Sequence, residues 1–326
     1  MMELTDRHCR YFHRLLTRHS LLYTEMVTTG ALIHGDVHRH LRHSPQEQPL
    51  ALQLGGSEPR DLAHCAQLAE QWGYSEVNLN CGCPSDRVQN GAFGACLMKQ
   101  PARVADCVKA MKQVVDLPVT VKCRIGVDEQ DEESALQDFT GQVQQAGCDL
   151  LIVHARKAWL QGLSPKQNRE VPPLDYPRVY RLKQAFPELP IVLNGGIQDL
   201  HQAEQHLLQV DGVMLGRSAY YNPAMLMEVD QRIFSNQLPA VAMEDVMESM
   251  THYISQQLQE GERVHAVTRH MLGLFQAVPG ARQYRRTLSE GAVLKSAGPE
   301  LLMDAWYCVT KAAAKQAARI TQATPT

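Results

Sequence analysis

The segment Asn78–Pro84 (NLNCGCP) carries the residues best suited to chemistry. An amide, Asn80, and a thiol, Cys83, leave a strand-like apolar stretch and enter a loop shaped by a glycine and a proline. A cysteine has an unperturbed pKa of about 8.5, so at neutral pH it is mostly protonated and can act as a general acid. Cys83 is therefore a candidate proton donor, whereas Cys81 lies on the strand side of the glycine and is expected in the core.

Two patterns could also suggest a bound metal. Cys81 and Cys83 could ligate zinc, but two thiols one residue apart lack a second ligand pair at recognisable spacing. Four histidines lie close together in the amino-terminal region: His34, His38, His40 and His43. No carboxylate or cysteine stands beside them in a ligand pattern, so we interpret this stretch as a solvated polar loop and expect no metal site.

Polar residues also end five other apolar segments, a pattern that stability alone does not require. They are Gln53, Lys122 with Arg124, His154 with Arg156, Asn194-Gly195-Gly196, and Gly216-Arg217. Glycines near a helix N-terminus let backbone N–H groups approach a phosphate, and an arginine adds a charge-assisted contact. A buried lysine can stabilise negative charge on a bound cofactor. Each residue also has a structural explanation: tight turns, a lysine reaching solvent, or a hydrogen-bonded core histidine.

The elements that would position these residues alternate along the chain. Seven short segments rich in Val, Ile and Leu predict strands: Leu21–Val27, Leu50–Leu54, Glu76–Asn80, Val119–Arg124, Leu150–Ala155, Ile191–Asn194 and Gly212–Leu215. Most are apolar throughout, as expected for parallel strands covered on both faces. Helical spacing between them, as in Asp61–Trp72 and Ala102–Val115, favours an α/β fold, either a (β/α) barrel or an open doubly wound sheet. Such barrels carry their chemistry at the carboxyl ends of the strands.

The character of the chain changes after about Phe234. Three later stretches have helical periodicity: Val246–Leu258, Val264–Phe275 and Leu301–Ile320. We therefore predict a barrel domain over residues 1–236 and an all-helical domain over residues 237–326.

Composition narrows the functional classes. The chain has 326 residues, 44% hydrophobic and 21% charged, an ordinary globular balance. Its formal net charge is −3, so a nucleic-acid partner requires local basic patches. Nine cysteines, an odd number in a long chain, argue against a disulfide framework. Without a signal peptide or an apolar run of membrane-spanning length, we expect a cytoplasmic protein with reduced thiols and no membrane association.

Together these residues resemble the tRNA-dihydrouridine synthases, and within that family the A-type branch. The matching runs cover nearly the whole chain and weaken after about Gly291: Thr5–Arg10, Tyr23–Val27, Ala51–Gly56, Asn78–Met98, Val121–Gly126, His154–Ala158, Asn194–Ile197, Gly212–Arg217 and Arg269–Leu272. Of these, Asn78–Met98 is highly specific, whereas the glycine pairs are not. The resemblance implies a TIM-type (β/α)8 barrel that binds FMN, followed by a helical domain that helps to hold tRNA.

The resemblance also implies roles for single residues. In the family NADPH reduces FMN, the flavin N5 delivers a hydride to C6 of a uracil in the tRNA D-loop, and a cysteine, here Cys83, protonates C5. Contacts with FMN fall on Met1, Met2, Gln53, Lys122, His154, Asn194, Gly195, Gly196, Gly216 and Arg217. Contacts with tRNA fall on Asn80, which matches a residue touching the base, and on Lys166, Arg169, Gln283 and Arg286. The branch suggests position 20 and its neighbour 20a. No protein partner is indicated.

Three basic residues, Arg282, Arg285 and Arg286, surround Tyr284 in the helical region. Basic residues beside an aromatic ring suit phosphate contact combined with base stacking. A solvated helix face with salt bridges explains the arginines equally well.

One departure from the family concerns the first residues. Family members begin with a strand that ends in an Ala-Pro-Met-like run; Met1 aligns with the methionine of that run, and Met2 with the next residue. We therefore expect the first barrel strand to be truncated, which leaves an open seam. Our hypothesis is that the amino terminus is incomplete and that the chain as it stands folds poorly or holds FMN poorly.

Two other functions compete with the synthase. One is an FMN oxidoreductase acting on a free pyrimidine, although a small substrate needs no helical domain with a basic cluster. The other is a flavin-free tRNA-binding protein, inactivated by loss of its first strand. The presence of Cys83, Lys122 and His154 argues against lost catalysis.

Overall fold

The computed structural model describes residues 1–85, 91–235, 237 and 239–323. Residues 86–90, inside the family-like run Asn78–Met98, and residue 236, at the predicted domain boundary, lie outside the described residues. The chain divides into two compact units. The first comprises Met1–Arg7 and Leu21–Gly216, and the second comprises His8–Ser20 and Arg217–Thr326. This division comes earlier in the chain than the predicted boundary between residues 236 and 237.

The first unit is built on one parallel sheet whose strands follow chain order from β1 to β7. The strands are β1 Leu22–Thr28, β2 Leu50–Gly55, β3 Glu76–Asn80, β4 Val119–Arg124, β5 Leu150–His154, β6 Ile191–Asn194 and β7 Gly212–Met214. They are the seven strands that the sequence predicts. Sequential parallel pairing with helical crossovers confirms the α/β fold of TIM type. All strands run in the same direction, so their carboxyl ends meet on one side of the sheet.

Helices connect the strands and form most of the second unit. They are α1 Arg7–Leu16, α2 Thr29–His34, α3 Val37–Leu41, α4 Pro59–Gln71, α5 Pro101–Lys112, α6 Glu132–Gln145, α7 Tyr176–Ala185, α8 Leu200–Leu207, α9 Arg217–Tyr221, α10 Val229–Arg232, α11 Met243–Gln259, α12 Val264–Thr268, α13 Ala281–Gly291 and α14 Glu300–Ala323. Aspartates begin several of them. The carboxylate of Asp131 accepts a 2.8 Å hydrogen bond from the N–H of Ser134 at the start of α6, and Asp175 and Asp199 cap α7 and α8 in the same way.

The two faces of the sheet differ in polarity, which corrects the expectation of strands apolar throughout. In β3, Val77 and Leu79 alternate with Glu76, Asn78 and Asn80. Successive side chains of a strand point to opposite faces, so one face is apolar and the other polar. The apolar face belongs to the hydrophobic core, together with the buried side of α4. The polar face is too rich in amides and charges to be explained by packing alone.

The second unit contains α1 as well as the helices after Gly216. His8 in α1 lies 2.9 Å from the hydroxyl of Tyr253 in α11, and the hydroxyl of Thr17 donates a 2.6 Å hydrogen bond to Asp230. The helix predicted over Val264–Phe275 ends at Thr268. Beyond it, the N–H groups of His270 and Met271 donate to carbonyls three residues earlier instead of four, which interrupts the α-helical pattern.

The loop predicted for the histidine-rich stretch is instead occupied by α2 and α3. Their starts are capped by Thr28 and Asp36, whose side chains accept hydrogen bonds from backbone N–H groups. Over the part of the chain that the structure describes, no helix combines the length and apolar character needed to cross a membrane.

Candidate active site

The loop after β3 is anchored to the strand through Asn80. Its side-chain oxygen accepts hydrogen bonds from the backbone N–H groups of Gly82 and Cys83, each 3.0 Å long. The Cys83 carbonyl in turn accepts a 2.9 Å hydrogen bond from the N–H of Ala95. Cys83 is partly exposed and its thiol lies 3.5 Å from the hydroxyl of Ser85. Cys83 is thus not enclosed in the core, and its backbone is held through both its N–H group and its carbonyl.

Cys81, two residues earlier, has a different environment. It is fully buried in the hydrophobic core, and burial raises the pKa of its thiol well above the usual value. This confirms the core position expected for Cys81. Within the described ranges, no group of three or more His, Cys, Asp or Glu side chains is arranged to hold a metal ion.

Two cations of β4 lie on the same face of the sheet as Asn80. Asn80 and Lys122 are register partners in neighbouring strands, and Arg124 follows two residues later. Desolvation by burial, assisted by the positive charge of Arg124, lowers the pKa of Lys122 to about 8. Desolvation lowers the pKa of Arg124 to about 10, although Cys83 acts in the opposite direction. The face beside Cys83 is therefore positively charged.

Arg124 also holds two loops, a role that the sequence interpretation missed. Its Nε donates a 3.1 Å hydrogen bond to the carbonyl of Gly82, in the Cys83 loop. Its guanidinium also donates a 3.0 Å hydrogen bond to the carbonyl of Asn168, in the loop after β5. Arg124 is almost completely buried, so both contacts are shielded from water. Its position two residues after Lys122 in an alternating strand could have placed Arg124 on this face, but not its contacts with the two loops.

Lys166 and Arg169 are exposed in the loop that Arg124 contacts. Between them, Asn168 is completely buried and organises the loop. Its amide nitrogen donates to the carbonyls of Trp159 and Leu163 at 2.8 and 3.1 Å, and its oxygen accepts a 2.8 Å hydrogen bond from the N–H of Trp159. The loop consequently presents its basic side chains from a fixed backbone.

The turn after β6 forms a cradle that excludes side chains. Gly195 and Gly196 have φ values of 110° and 75°, a region that favours glycine. A Cβ on Gly195 would lie 2.7 Å from Nε2 of His154, and one on Gly196 would lie 2.6 Å from the hydroxyl of Tyr176. That hydroxyl donates a 2.9 Å hydrogen bond to the Gly195 carbonyl. The glycines thus bring bare backbone beside His154, as close approach of an anionic ligand requires.

The remaining predicted cofactor contacts in the first unit lie at the carboxyl ends of other strands or at the first residues. The Asn194 amide donates a 2.7 Å hydrogen bond to the Met214 carbonyl, which ties β6 to β7. A Cβ on Gly216 would lie 3.4 Å from the sulfur of Met1, so these two residues are neighbours. Met2 is largely exposed. The structure therefore brings Met1 to the end of β7.

Three predicted site residues belong to the second unit: Arg217, Gln283 and Arg286. All three are exposed. Arg217 begins α9, and the other two lie on the solvent-facing side of α13, where Arg286 donates hydrogen bonds of 3.1 Å to Glu290.

Tyr284 corrects the expectation of base stacking in this helix. The ring is completely buried, packs edge-on against Phe275, and its hydroxyl donates a 3.3 Å hydrogen bond to the Met271 carbonyl. Helical periodicity explains this, since Ala281, Tyr284 and Leu288 form the buried side of α13. Tyr284 is thus a core residue, and the arginines occupy the opposite face without an aromatic partner from this position.

The chain is similar to known proteins over nearly its whole length. The model of the Dihydrouridine synthase (Dus) family matches residues 1–313. A tRNA-dihydrouridine(20/20a) synthase of Vibrio parahaemolyticus is 58% identical over 312 residues, which cover 95% of each chain. The protein of the same name from Salmonella typhi is 60% identical over 293 residues, covering 90% of this chain and 88% of the relative.

Among solved structures, a complex of 2-naphthoyl-CoA reductase with 2-naphthoyl-CoA superposes with a TM-score of 0.53. The similarity covers 70% of this chain and 47% of that one, at 12% identity. It therefore supports the fold alone.

Proposed function

Because this chain belongs to the dihydrouridine synthase family, an oxidoreductase family that depends on flavin, we propose that it reduces uridine to dihydrouridine at positions 20 and 20a of tRNA. The observation that carries the proposal is the fixed Cys83 loop, held beside Lys122 and Arg124 in a chain 58% identical to a relative with that name. A cytoplasmic location accords with tRNA as the substrate.

The donor set of the first unit fits FMN. A ribityl phosphate is an anion, and the glycine cradle beside His154 offers backbone that can approach it closely. Bound FMN, reduced by NADPH, supplies a hydride for C6 of the uracil. The residues that would hold it are Met1, Met2, Gln53, Lys122, His154, Asn194, Gly195, Gly196 and Gly216; the resemblance adds Arg217.

Cys83 is the proposed proton donor to C5 of the uracil. Reduction of the C5–C6 bond requires one proton besides the hydride, and a thiol that is protonated at neutral pH can provide it. The loop bonds of Asn80 and Arg124 hold the backbone on either side of this thiol. Lys122 would favour negative charge that develops near it.

Recognition of tRNA is proposed for residues of both units. A uracil must leave its stack before a protein can act on its ring, and Asn80 offers the amide that would contact it. The exposed Lys166 and Arg169 suit contact with phosphates, as do Gln283 and Arg286 on α13. No observation favours a flavin-free RNA-binding protein or an oxidoreductase of free pyrimidines.

The visible absorption spectrum of the purified protein tests this function directly. After FMN is added, we expect a flavin spectrum that bleaches with NADPH and recovers when unmodified tRNA is added. Recovery with free uracil but not with tRNA would support the pyrimidine enzyme. A colourless protein that binds tRNA and stays colourless when FMN is added would overturn the proposal.

A further inference from the structure

A row of polar side chains crosses the sheet behind Asn80. Gln53 of β2, Asn78 of β3 and Thr120 of β4 are register partners, so they lie side by side on one face. Glu76 belongs to the same face, two residues before Asn78. Glu76, Asn78 and Thr120 are all buried, which is costly for polar groups unless each is hydrogen-bonded.

These side chains form one continuous chain of hydrogen bonds. Thr120 donates to Glu76 at 2.6 Å, and Asn78 donates to Thr120 at 2.8 Å. Gln53 donates to Asn78 at 2.9 Å, and Asn80 donates to Gln53 at 2.8 Å. The chain ends where Asn80 accepts from the backbone of the Cys83 loop.

The two ends of this chain fix the direction of every bond in it. Backbone N–H groups can only donate, so Asn80 must present its oxygen to the loop and its nitrogen to Gln53. At the other end, the carboxyl oxygen of Glu76 accepts from Thr120, which leaves the Thr120 oxygen to accept from Asn78. Only one orientation of each of the three amides satisfies both ends.

A second donor supports the Glu76 end. The hydroxyl of Tyr23 in β1 donates a 2.8 Å hydrogen bond to the same carboxyl oxygen. Burial raises the pKa of Tyr23 far above its usual value, so the phenol keeps its proton and remains a donor. The row therefore begins at a carboxyl oxygen of Glu76 that accepts hydrogen bonds from hydroxyls of two other strands, β1 and β4.

We propose that Glu76 and Thr120 are positioning residues for the protonation step: acting through Asn78 and Gln53, they orient the Asn80 amide that holds the Cys83 loop. This inference rests on the proposed function. It places the control of the thiol in the strands rather than in the loop itself. A rigid element positions a reacting group more precisely than a loop does.

Thr120→Val removes the acceptor for Asn78 while nearly preserving side-chain volume. The Asn78 amide nitrogen then has no acceptor in this row, and Asn78 is fully buried. Turning the amides round would move the conflict to Asn80, whose nitrogen would face two backbone N–H groups. The first outcome destabilises the row next to Asn80, because a buried donor is left unsatisfied. The second breaks the hydrogen bonds that hold the Cys83 loop.

The two half-reactions separate this role from a general structural one. Reduction of bound FMN by NADPH needs no proton from Cys83, whereas reoxidation by tRNA does. In stopped-flow measurements on the flavin-loaded enzyme, we expect Thr120→Val to slow reoxidation on the order of 10- to 100-fold with reduction unchanged. Thr120→Ser keeps the hydroxyl and should restore reoxidation.

Thr140→Val provides the matched control. Thr140 is equally buried in the first unit, and its hydroxyl donates a 2.7 Å hydrogen bond to Leu136 within α6. We expect this variant to lose thermal stability about as Thr120→Val does, with normal reoxidation. Equal slowing in both variants, or none in Thr120→Val, would overturn the positioning role. Failure of the wild-type enzyme to be reoxidised by tRNA would instead contradict the proposed function.

Discussion

The Asn80 side chain accepts a 3.0 Å hydrogen bond from the backbone N–H of Cys83. Asn80 ends β3, a strand that pairs with a neighbour on each side, whereas Cys83 lies in a loop. Loops carry reactive groups but move more than the elements that they connect. The bond transfers the order of the strand to the residue that we propose as the proton donor.

Removing the Cys83 thiol should stop turnover without affecting binding. Cys83→Ala leaves the backbone bonds of the loop in place because neither of them involves the side chain. We expect flavin content and tRNA affinity to stay unchanged and dihydrouridine formation to fall about 100-fold or more, the usual contribution of a general acid. Mass spectrometry of tRNA nucleosides measures the product directly.

Cys96→Ala is the control for this substitution. Cys96 is also partly exposed, and its thiol donates a 3.0 Å hydrogen bond to the Phe93 carbonyl. It should retain nearly full activity. Equal activity of Cys83→Ala and Cys96→Ala would contradict the proton-donor role.

The strands could be predicted from the sequence because each carries its own apolar signal, and all seven coincide with predicted segments. These signals alone leave a barrel and an open doubly wound sheet as alternatives, and the observed order from β1 to β7 is that of the barrel type. The expectation of strands apolar throughout is wrong for the polar face, although the alternation is present in Glu76–Asn80. In so short a strand, the two apolar residues are enough to predict the strand but do not show that its other face is polar.

The positions of candidate site residues could be predicted better than their supports. Strand ends identify Lys122 and His154, but nothing in the sequence indicates that Arg124 would reach two loops. Such contacts join residues far apart in the chain and depend on tertiary structure. Tyr284 illustrates the opposite error, since a basic neighbourhood suggested exposure while its helical phase placed it in the core.

A side chain added in the glycine cradle should reduce flavin binding without unfolding the protein. In Gly195→Ala the new methyl group would contact the His154 ring, and alanine at a φ of 110° is strained. We expect the purified variant to contain little flavin, as measured by absorbance, while circular dichroism shows a folded protein. Gly162→Ala shares a positive φ but meets no atom within 4 Å, so it should keep its flavin. Normal flavin content in Gly195→Ala would count against the cradle.

The lowered pKa of Lys122 predicts that the free energy of unfolding rises at alkaline pH. Its pKa in the folded protein is about 8, below the ordinary value of 10.5, because burial disfavours the charged form. Between these two values the unfolded chain binds more protons, so the unfolding free energy increases with pH. Relative to Lys122→Met, flavin-stripped wild-type protein should gain up to about 3 kcal/mol between pH 8 and pH 10.5. Urea titrations across this range measure the difference, and a constant difference would contradict the shift.

Arg286 should contribute to tRNA affinity but not to flavin binding. It lies exposed on α13 and pairs with Glu290 one turn away, and such surface pairs stabilise little. Arg286→Ala should weaken tRNA binding and flatten its salt dependence while flavin content is unchanged. Arg232→Ala removes a similar pair with Glu228 and serves as the control. Loss of flavin in Arg286→Ala would indicate a structural residue instead.

Asn168 should affect tRNA binding indirectly, through the loop that carries Lys166 and Arg169. Its side chain makes hydrogen bonds with two other parts of this loop, and its own carbonyl accepts from Arg124. Asn168→Ala removes the side-chain bonds but keeps both basic residues, so the loop loses its fixed backbone rather than its charge. We expect affinity for tRNA, measured by filter binding, to fall about as far as in Lys166→Ala.

The salt dependence of tRNA affinity distinguishes loss of a charge from loss of the fixed loop backbone. Lys166→Ala removes a charge and should reduce the slope of affinity against salt concentration by about one counterion. Asn168→Ala removes none, so its slope should remain that of the wild type while the affinity is lower at every salt concentration. If Asn168→Ala binds tRNA as tightly as the wild type, the basic residues do not need a fixed loop, and their contact with tRNA is one of charge alone.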